Sequence, residues 1–306
     1  MQAKLISSAL SRSRPPGTEN HPRILALFIA LRYLGILGTI LLQPCHDAHL
    51  PGFRGHQLML TKYSLATLLL LILANSPQQV DTLQTVAERS GDTATARHGE
   101  VVALCQEFAR RFPSAHYTEL GTSSEGPPLP ALVLADPPVK TPLEAARSGK
   151  LIALAIGDIH GGEVCGKEAL QILAREILAT QHHPLLKDLI IIVAPIISAN
   201  GNERDSSQNR AGQNGPNQGM GQRASARGID LNRDFIKLEA VETRALVRFF
   251  NIWRPHLFID IHTTNGSFHR YAITYDGPKN PAGDPRLIAF TRSEFFPAVS
   301  REFEKK

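Results

Sequence analysis

Cysteine is scarce in this chain. Its 306 residues contain three, Cys45, Cys105 and Cys165, and no CxxC pair. A thiolate metal site or a redox dithiol is therefore not the expectation. Pairing of Cys105 with Cys165 depends on a fold that spacing alone does not give, and two buried free thiols are an equal expectation. Excess charge is missing as well. The net charge is +5, but residues 1–58 hold six cations (Lys4, Arg12, Arg14, Arg23, Arg32, Arg54) and two anions (Glu19, Asp47), which leaves +1 for residues 59–306. That balance gives no electrostatic footprint for DNA or RNA, and no nucleic-acid partner is expected. No internal repeat is present. With 42% hydrophobic and 20% charged residues, the composition excludes wholesale disorder, collagen and coiled coil.

Long apolar runs are confined to the first 76 residues. Ile24–Leu42 is 19 residues long, nearly a bilayer span, but Arg32 sits near its middle, where a charge is costly in hydrocarbon. The second run follows Met59: a short stretch containing Lys62, an apolar core at Leu65–Leu73, then Ala74, Asn75 and Ser76. That order matches an export signal whose core is too short to span. The expectation is a start at Met59, a signal peptide over 59–76, and residues 1–58 as an upstream extension. The chain would then be secreted or periplasmic. If the long N-terminus is real, a membrane anchor at 24–42 is the alternative. Residues 77–94 are polar without a period and read as a linker.

From residue 95 the pattern changes. Apolar residues at Val101, Leu104, Cys105 and Phe108 predict a helix over 98–111. Strands are expected at 116–120 and 129–135, joined by the Gly121–Pro128 turn. Short apolar runs at 151–156, 189–197 and 256–262 read as buried strands, and 163–180, 239–253 and 284–304 as helices. Buried strands alternating with helices predict an α/β fold: a mixed, mostly parallel sheet flanked by helices. Residues 200–228, rich in Gly, Asn, Gln, Ser and Arg, form a loop of the length that usually carries function.

Two segments end buried strands with a histidine. Gly157-Asp158-Ile159-His160-Gly161-Gly162-Glu163 also opens a helix, and Phe258-Ile259-Asp260-Ile261-His262 is followed by Thr263-Thr264-Asn265-Gly266. Ligand sites in open α/β sheets gather at the carboxyl ends of strands. His160, Glu163 and His262 together make a set of two imidazoles and one carboxylate, suited to a single zinc ion with an open coordination position. Any chain with 12 histidines produces His-x-x-Glu spacings, and either segment alone is compatible with a plain capping loop. Between them lies Ile229-Asp230-Leu231-Asn232-Arg233-Asp234-Phe235. The guanidinium fork of Arg233 and the amide of Asn232 suit a carboxylate, although a solvated turn explains them too.

In this order the motifs resemble the M14 zinc carboxypeptidase family, over residues 95–306. Gly121-Thr122-Ser123-Ser124-Glu125-Gly126 is similar to the family's first-strand turn, and Asn200-Gly201-Asn202-Glu203-Arg204 to the stretch before its catalytic arginine. The resemblance implies that His160, Glu163 and His262 hold zinc, and that Asn232 and Arg233 bind the terminal carboxylate of a peptide or small amide. It also implies an arginine that polarises the scissile carbonyl. Arg210, after Asn209, is the first candidate, with Arg204 and Arg223 as alternatives in the same loop. The implied chemistry is Lewis-acid polarisation with a metal-activated water and an arginine at the developing oxyanion.

The resemblance stops short of the family's general-base glutamate and its mobile tyrosine. After His262 the acidic residues are Asp276, Asp284, Glu294, Glu302 and Glu304, none in the family's context. The expectation is a domain truncated at its C-terminus, with an incomplete sheet, zinc ligands still close together, and no activity as it stands. Two rivals share these motifs. One is an N-acyl amino acid deacylase of the aspartoacylase or desuccinylase type. The other is a non-catalytic zinc- or peptide-binding module.

Overall fold

The computed structural model describes residues 2–6 (as backbone), 83–267, 271 and 273–304. The apolar segments at 24–42 and 59–76, and Cys45, lie outside the described residues. Among the described residues no helix is long and apolar enough to cross a membrane.

The strands are β1 (Gln2–Ile6), β2 (Ala115–Thr122), β3 (Pro128–Leu134), β4 (Leu151–Gly157), β5 (Leu189–Ala194), β6 (Leu257–His262) and β7 (Thr274–Asp276). They form one sheet in the order β2-β3-β5-β4-β6-β1-β7. The helices are α1 (Val86–Ser90), α2 (His98–Arg111), α3 (Pro142–Ser148), α4 (Val164–Ala179), α5 (Pro184–Asp188), α6 (Ala199–Glu203), α7 (Val241–Trp253), α8 (Pro285–Phe290) and α9 (Phe296–Glu304), with a π-turn at Thr291–Phe295 joining the last two. The central trio β5-β4-β6 is parallel. The β2-β3 hairpin adds antiparallel pairs on one side, which makes the sheet mixed.

Strand alternation sorts the apolar side chains into two cores. Ala153, Ala155, Ile191, Val193, Ile259 and Ile261 face one side, where Phe108 of α2, Leu170, Leu173 and Ile177 of α4, and Phe295 and Val299 pack on them. Ile152, Leu154, Ile156, Ile190, Ile192 and Phe258 face the other side, against Leu246, Phe249 and Trp253 of α7. Covering both faces accounts for the near-continuous apolar runs of the central strands.

Two expectations need correction. Residues 83–94 are packed rather than linking. Leu83 is buried, Thr85 and Glu88 form a capping box on α1, and Glu88 pairs with Arg175 of α4. Two packed apolar residues, Leu83 and Val86, and a cap carry too little periodic signal, so the stretch reads as polar. Cys105 and Cys165 are free, the first buried and the second exposed on α4, so only one of them is a core thiol. Gln2–Ile6, within the stretch read as an extension, runs antiparallel to β6, with Gln2 opposite His262, and parallel to β7. It occupies the position between those two strands, and the sheet stays open with β2 and β7 at its edges.

Candidate metal centre

The site stands at the carboxyl ends of β4 and β6, which pair in parallel with Gly157 opposite Ile261. A close approach makes it possible. A Cβ on Gly157 would stand 2.8 Å from the carbonyl carbon of Gly166, and one on Gly166 would stand 3.0 Å from Cβ and Cγ2 of Ile261. Two hydrogens in place of two methyls let the first turn of α4 sit on the ends of both strands. Glu163, the N-cap residue of α4, thereby comes within reach of His262, the last residue of β6.

His160, Glu163 and His262 are all buried, and their candidate donor atoms lie within 4.8 Å of one another. His160 Nδ1 is 2.9 Å from Glu163 Oε1, and His262 Nδ1 is 2.8 Å from Glu163 Oε2. The backbone N–H of Thr263 also donates to Oε2, at 3.1 Å. Each imidazole is held from behind by a carboxylate: His160 Nε2 by Asp230 Oδ1 at 3.0 Å and His262 Nε2 by Asp260 Oδ2 at 2.9 Å. An ionised carboxylate only accepts, so each Nε2 carries a hydrogen toward its aspartate. Without metal a hydrogen on Nδ1 donates to Glu163, and with metal bound each Nδ1 would instead turn its lone pair to the common point beside Glu163. Two imidazoles and a carboxylate, with each imidazole oriented by a second carboxylate, is a donor set that fits one zinc ion.

The electrostatics agree with that geometry. Burial alone would raise the Glu163 carboxyl, but hydrogen bonds from His160 and His262 hold it well below the usual carboxylate range. Burial works against a charged His262, yet Asp260 and Glu163 outweigh it and hold the imidazole up at about 9. A proton and a metal are alternatives for the same Nδ1 lone pair.

A cleft of about 950 Å³ opens over the trio, walled by Arg223, Asn232, Arg233 and the segment 274–280. Asn232 and Arg233 sit on a 3₁₀ turn, Leu231–Arg233, pinned by fully buried Leu231. Asp230 caps that turn by accepting from Asn232 N at 3.0 Å, so one carboxylate both fixes the turn and orients His160. Among the described residues no carboxylate pairs with Arg233. Its Nη1 donates to the carbonyl of Asn232 at 3.1 Å.

The family model described as zinc carboxypeptidase (peptidase M14) matches residues 101–287. The chain belongs to the zinc carboxypeptidase family. Carboxypeptidase 2 of Trichophyton rubrum is 26% identical over 175 residues, which are 56% of this chain and 29% of that protein. Carboxypeptidase 2 of Trichophyton tonsurans is 29% identical over 142 residues, 46% of this chain and 23% of that protein. The zinc carboxypeptidase chain described here thus spans under a third of these curated relatives. Among solved structures, the carboxypeptidase A from Helicoverpa armigera aligns with a TM-score of 0.45 at 17% identity, covering 66% of this chain and 53% of that one. The metallo-carboxypeptidase from Burkholderia cenocepacia aligns at 0.42 and 19% identity, covering 54% and 40%.

Within this zinc carboxypeptidase fold the three arginines of the 200–228 loop separate. Arg204 pairs with Glu125 at 2.6 Å and donates to the carbonyl of Ala226, outside the cleft lining. Arg210, the first candidate for the carbonyl-polarising arginine, is 8% exposed and does not line the cleft. Its guanidinium is engaged by Glu163 Oε1 and Gln213 Oε1, each at 2.7 Å. Arg223 lines the cleft wall. It pairs with Asp230 at 2.9 Å and brings Nη1 to 3.5 Å from His160 Nδ1. The two orienting aspartates stood inside quoted motifs without a role. The signal for Asp260 is strand alternation, which puts residues 260 and 262 on one face. The signal for Asp230 is its cap position before Leu-Asn-Arg.

Proposed function

We propose that this chain is the metal-binding core of a zinc metallocarboxypeptidase acting near a free C-terminus, with His160, Glu163 and His262 holding one zinc ion. The observation that carries this reading is the pairing of a buried donor trio, backed by Asp230 and Asp260, with Arg233 on the same cleft, which has no carboxylate partner among the described residues. Asn232 and Arg233 would bind the substrate's terminal carboxylate by bidentate, charge-assisted hydrogen bonds. Arg223 is better placed than Arg210 to donate toward a carbonyl oxygen in the cleft, where such a donor stabilises developing negative charge. Bound zinc would supply a Lewis acid and lower the pKa of water. Export of the protein is part of the proposal and rests on the apolar segment at 59–76.

Turnover also needs a base within hydrogen-bond reach of the attacking water. Among the described residues, the carboxylates that line the cleft are Glu163 and Asp276. Glu163 is committed to the donor set, and Asp276 is paired with Lys279 at the surface. A second reading is binding of zinc and peptide without hydrolysis.

Metal analysis and chelator competition test the centre, and peptides with free or amidated C-termini test the carboxylate clamp. One tightly bound zinc, and binding of the free acid over the amide, are the expected results. Failure to bind zinc, or indifference to amidation, would overturn the reading. Hydrolysis of N-acyl amino acids but not of peptides would move it to the deacylases.

A further inference from the structure

Arg210 and Gln213 are not part of the donor set, yet they join its two halves. Arg210 adopts a left-handed backbone conformation, φ 52°, which a branched or bulky residue seldom takes without support. Its side chain is 8% exposed. Nη2 donates to Glu163 Oε1 at 2.7 Å, and Nε donates to Gln213 Oε1 at 2.7 Å. Gln213 in turn donates from Nε2 to the carbonyl of Thr264, two residues beyond His262, and its backbone N–H returns to the carbonyl of Arg210 at 2.8 Å. A continuous hydrogen-bonded bracket therefore runs from Glu163 through Arg210 and Gln213 to Thr264.

The backbone is shaped around this bracket. A Cβ on Gly162 would stand 2.3 Å from Arg210 Cδ, so the space that Arg210 fills exists because residue 162 has no side chain. A Cβ on Gly212 would stand 2.9 Å from the carbonyl oxygen of Asn265. The turn at 210–213 is thus seated on the loop that follows His262, while its guanidinium is anchored on the loop that carries His160 and Glu163.

We propose that Arg210 and Gln213 are positioning residues for the metal centre: they fix the carboxylate of Glu163 and the His262 loop in the mutual arrangement zinc requires. The inference rests on the zinc reading above, and it gives Arg210 a role separate from polarising a carbonyl. By accepting from Arg210, Glu163 Oε1 keeps one lone pair occupied and the carboxylate plane fixed. Partners of this kind commonly change metal affinity 10- to 100-fold when removed.

The test compares wild-type protein with Arg210→Met, Arg210→Lys and Gln213→Leu. Zinc dissociation constants are read by chelator competition, the visible absorption of the cobalt-substituted protein reports ligand geometry, and metal-free thermal unfolding serves as the fold control. Arg210→Met should weaken zinc about 10- to 100-fold and alter the cobalt bands. Gln213→Leu, which leaves Glu163 untouched, should weaken zinc by a smaller factor. Arg210→Lys should recover part of the affinity. Unchanged zinc affinity and unchanged cobalt bands in Arg210→Met and Gln213→Leu would overturn the proposal while leaving the zinc reading intact. Affinity lost only in proportion to metal-free stability would also overturn it, since that is plain structural support. Wild-type protein that binds no zinc would sink both.

Discussion

Replacing Asp260 by Asn should weaken zinc binding without unfolding the domain. Asp260 is 1% exposed, and its Oδ2 lies 2.9 Å from His262 Nε2. Among the described residues its Oδ1 has no hydrogen-bond partner, and the hydrogen bond of the carboxylate goes to one imidazole. Asparagine has nearly the same shape, and its amide oxygen can still accept from Nε2–H. It cannot supply the negative charge that makes Nδ1 a better donor. The expected loss is 10- to 100-fold in zinc affinity, or about 1.4–2.7 kcal/mol. Asp230→Asn should cost less, because Asp230 has 28% of its side chain exposed and shares its charge with Arg223. Chelator competition on both variants, alongside His262→Ala as the ligand knock-out, measures the order directly. If Asp260→Asn binds zinc as tightly as wild type while His262→Ala does not bind it, the carboxylate does not tune His262 and the reasoning fails.

Other perturbations follow from the same packing. Lys167 is fully buried, and its ammonium donates to the carbonyl of Ala96 at 2.6 Å and to Asn202 Oδ1 at 2.5 Å. Lys167→Met should cost about 1–3 kcal/mol in urea unfolding, because Asn202 Oδ1 loses its ammonium donor and the Ala96 carbonyl is left with only a longer bond from Asn202 Nδ2 at 3.4 Å. Gly166→Ala places a methyl 3.0 Å from Ile261 Cβ; about 1–3 kcal/mol of lost stability is expected, together with weaker zinc binding, since the strain falls between Glu163 and His262. Burial pushes the Cys105 thiol up to about 12, so at pH 8 a thiol reagent should label exposed Cys165 and spare Cys105 until the protein unfolds.

The parts of the fold legible in the sequence are those with a period. The helix over 98–111 and the strand ends at 151, 189 and 262 follow from apolar spacing, because strands buried on both faces leave unbroken apolar runs. What stayed hidden has no period. Leu83 and Val86 pack from an otherwise polar stretch, and α1 is announced only by Thr85 and Glu88. The closeness of His160, Glu163 and His262 was readable because the two histidines lie at or just beyond the ends of buried strands, where topology brings strand ends together. The role of Arg210 was not readable. A loop of Gly, Asn and Arg has no register of its own, so Arg204, Arg210 and Arg223 are indistinguishable until the backbone shows which one is buried against Glu163 and which one faces the cleft.

The charges around the trio argue for the kind of ligand the cleft takes. Glu163, Asp230 and Asp260 contribute three negative charges, and Arg210 and Arg223, which contact them, contribute two positive ones. These five side chains are one charge short of neutral, and in the metal-free protein a proton on His262, held up at about 9, makes up that charge. A dication reverses the sign, and Arg233 on the cleft wall adds a further positive charge without a carboxylate partner among the described residues. Lys279 and Asp276 cancel each other across the cleft. A zinc-loaded cleft is therefore positive where the metal-free cluster is not, and an anionic end of a ligand gains from the metal even where it does not touch it. It follows that a peptide with a free C-terminus should bind more tightly once zinc is present, and that the increment should shrink as salt is raised, because the cleft is open to solvent and its field is screened. An Arg233→Gln variant should lose most of the preference for the free acid over the amide and keep its zinc. Calorimetric titration with and without zinc, at low and high salt, separates the contributions. A preference for the free acid that survives Arg233→Gln undiminished would mean that the carboxylate is bound elsewhere.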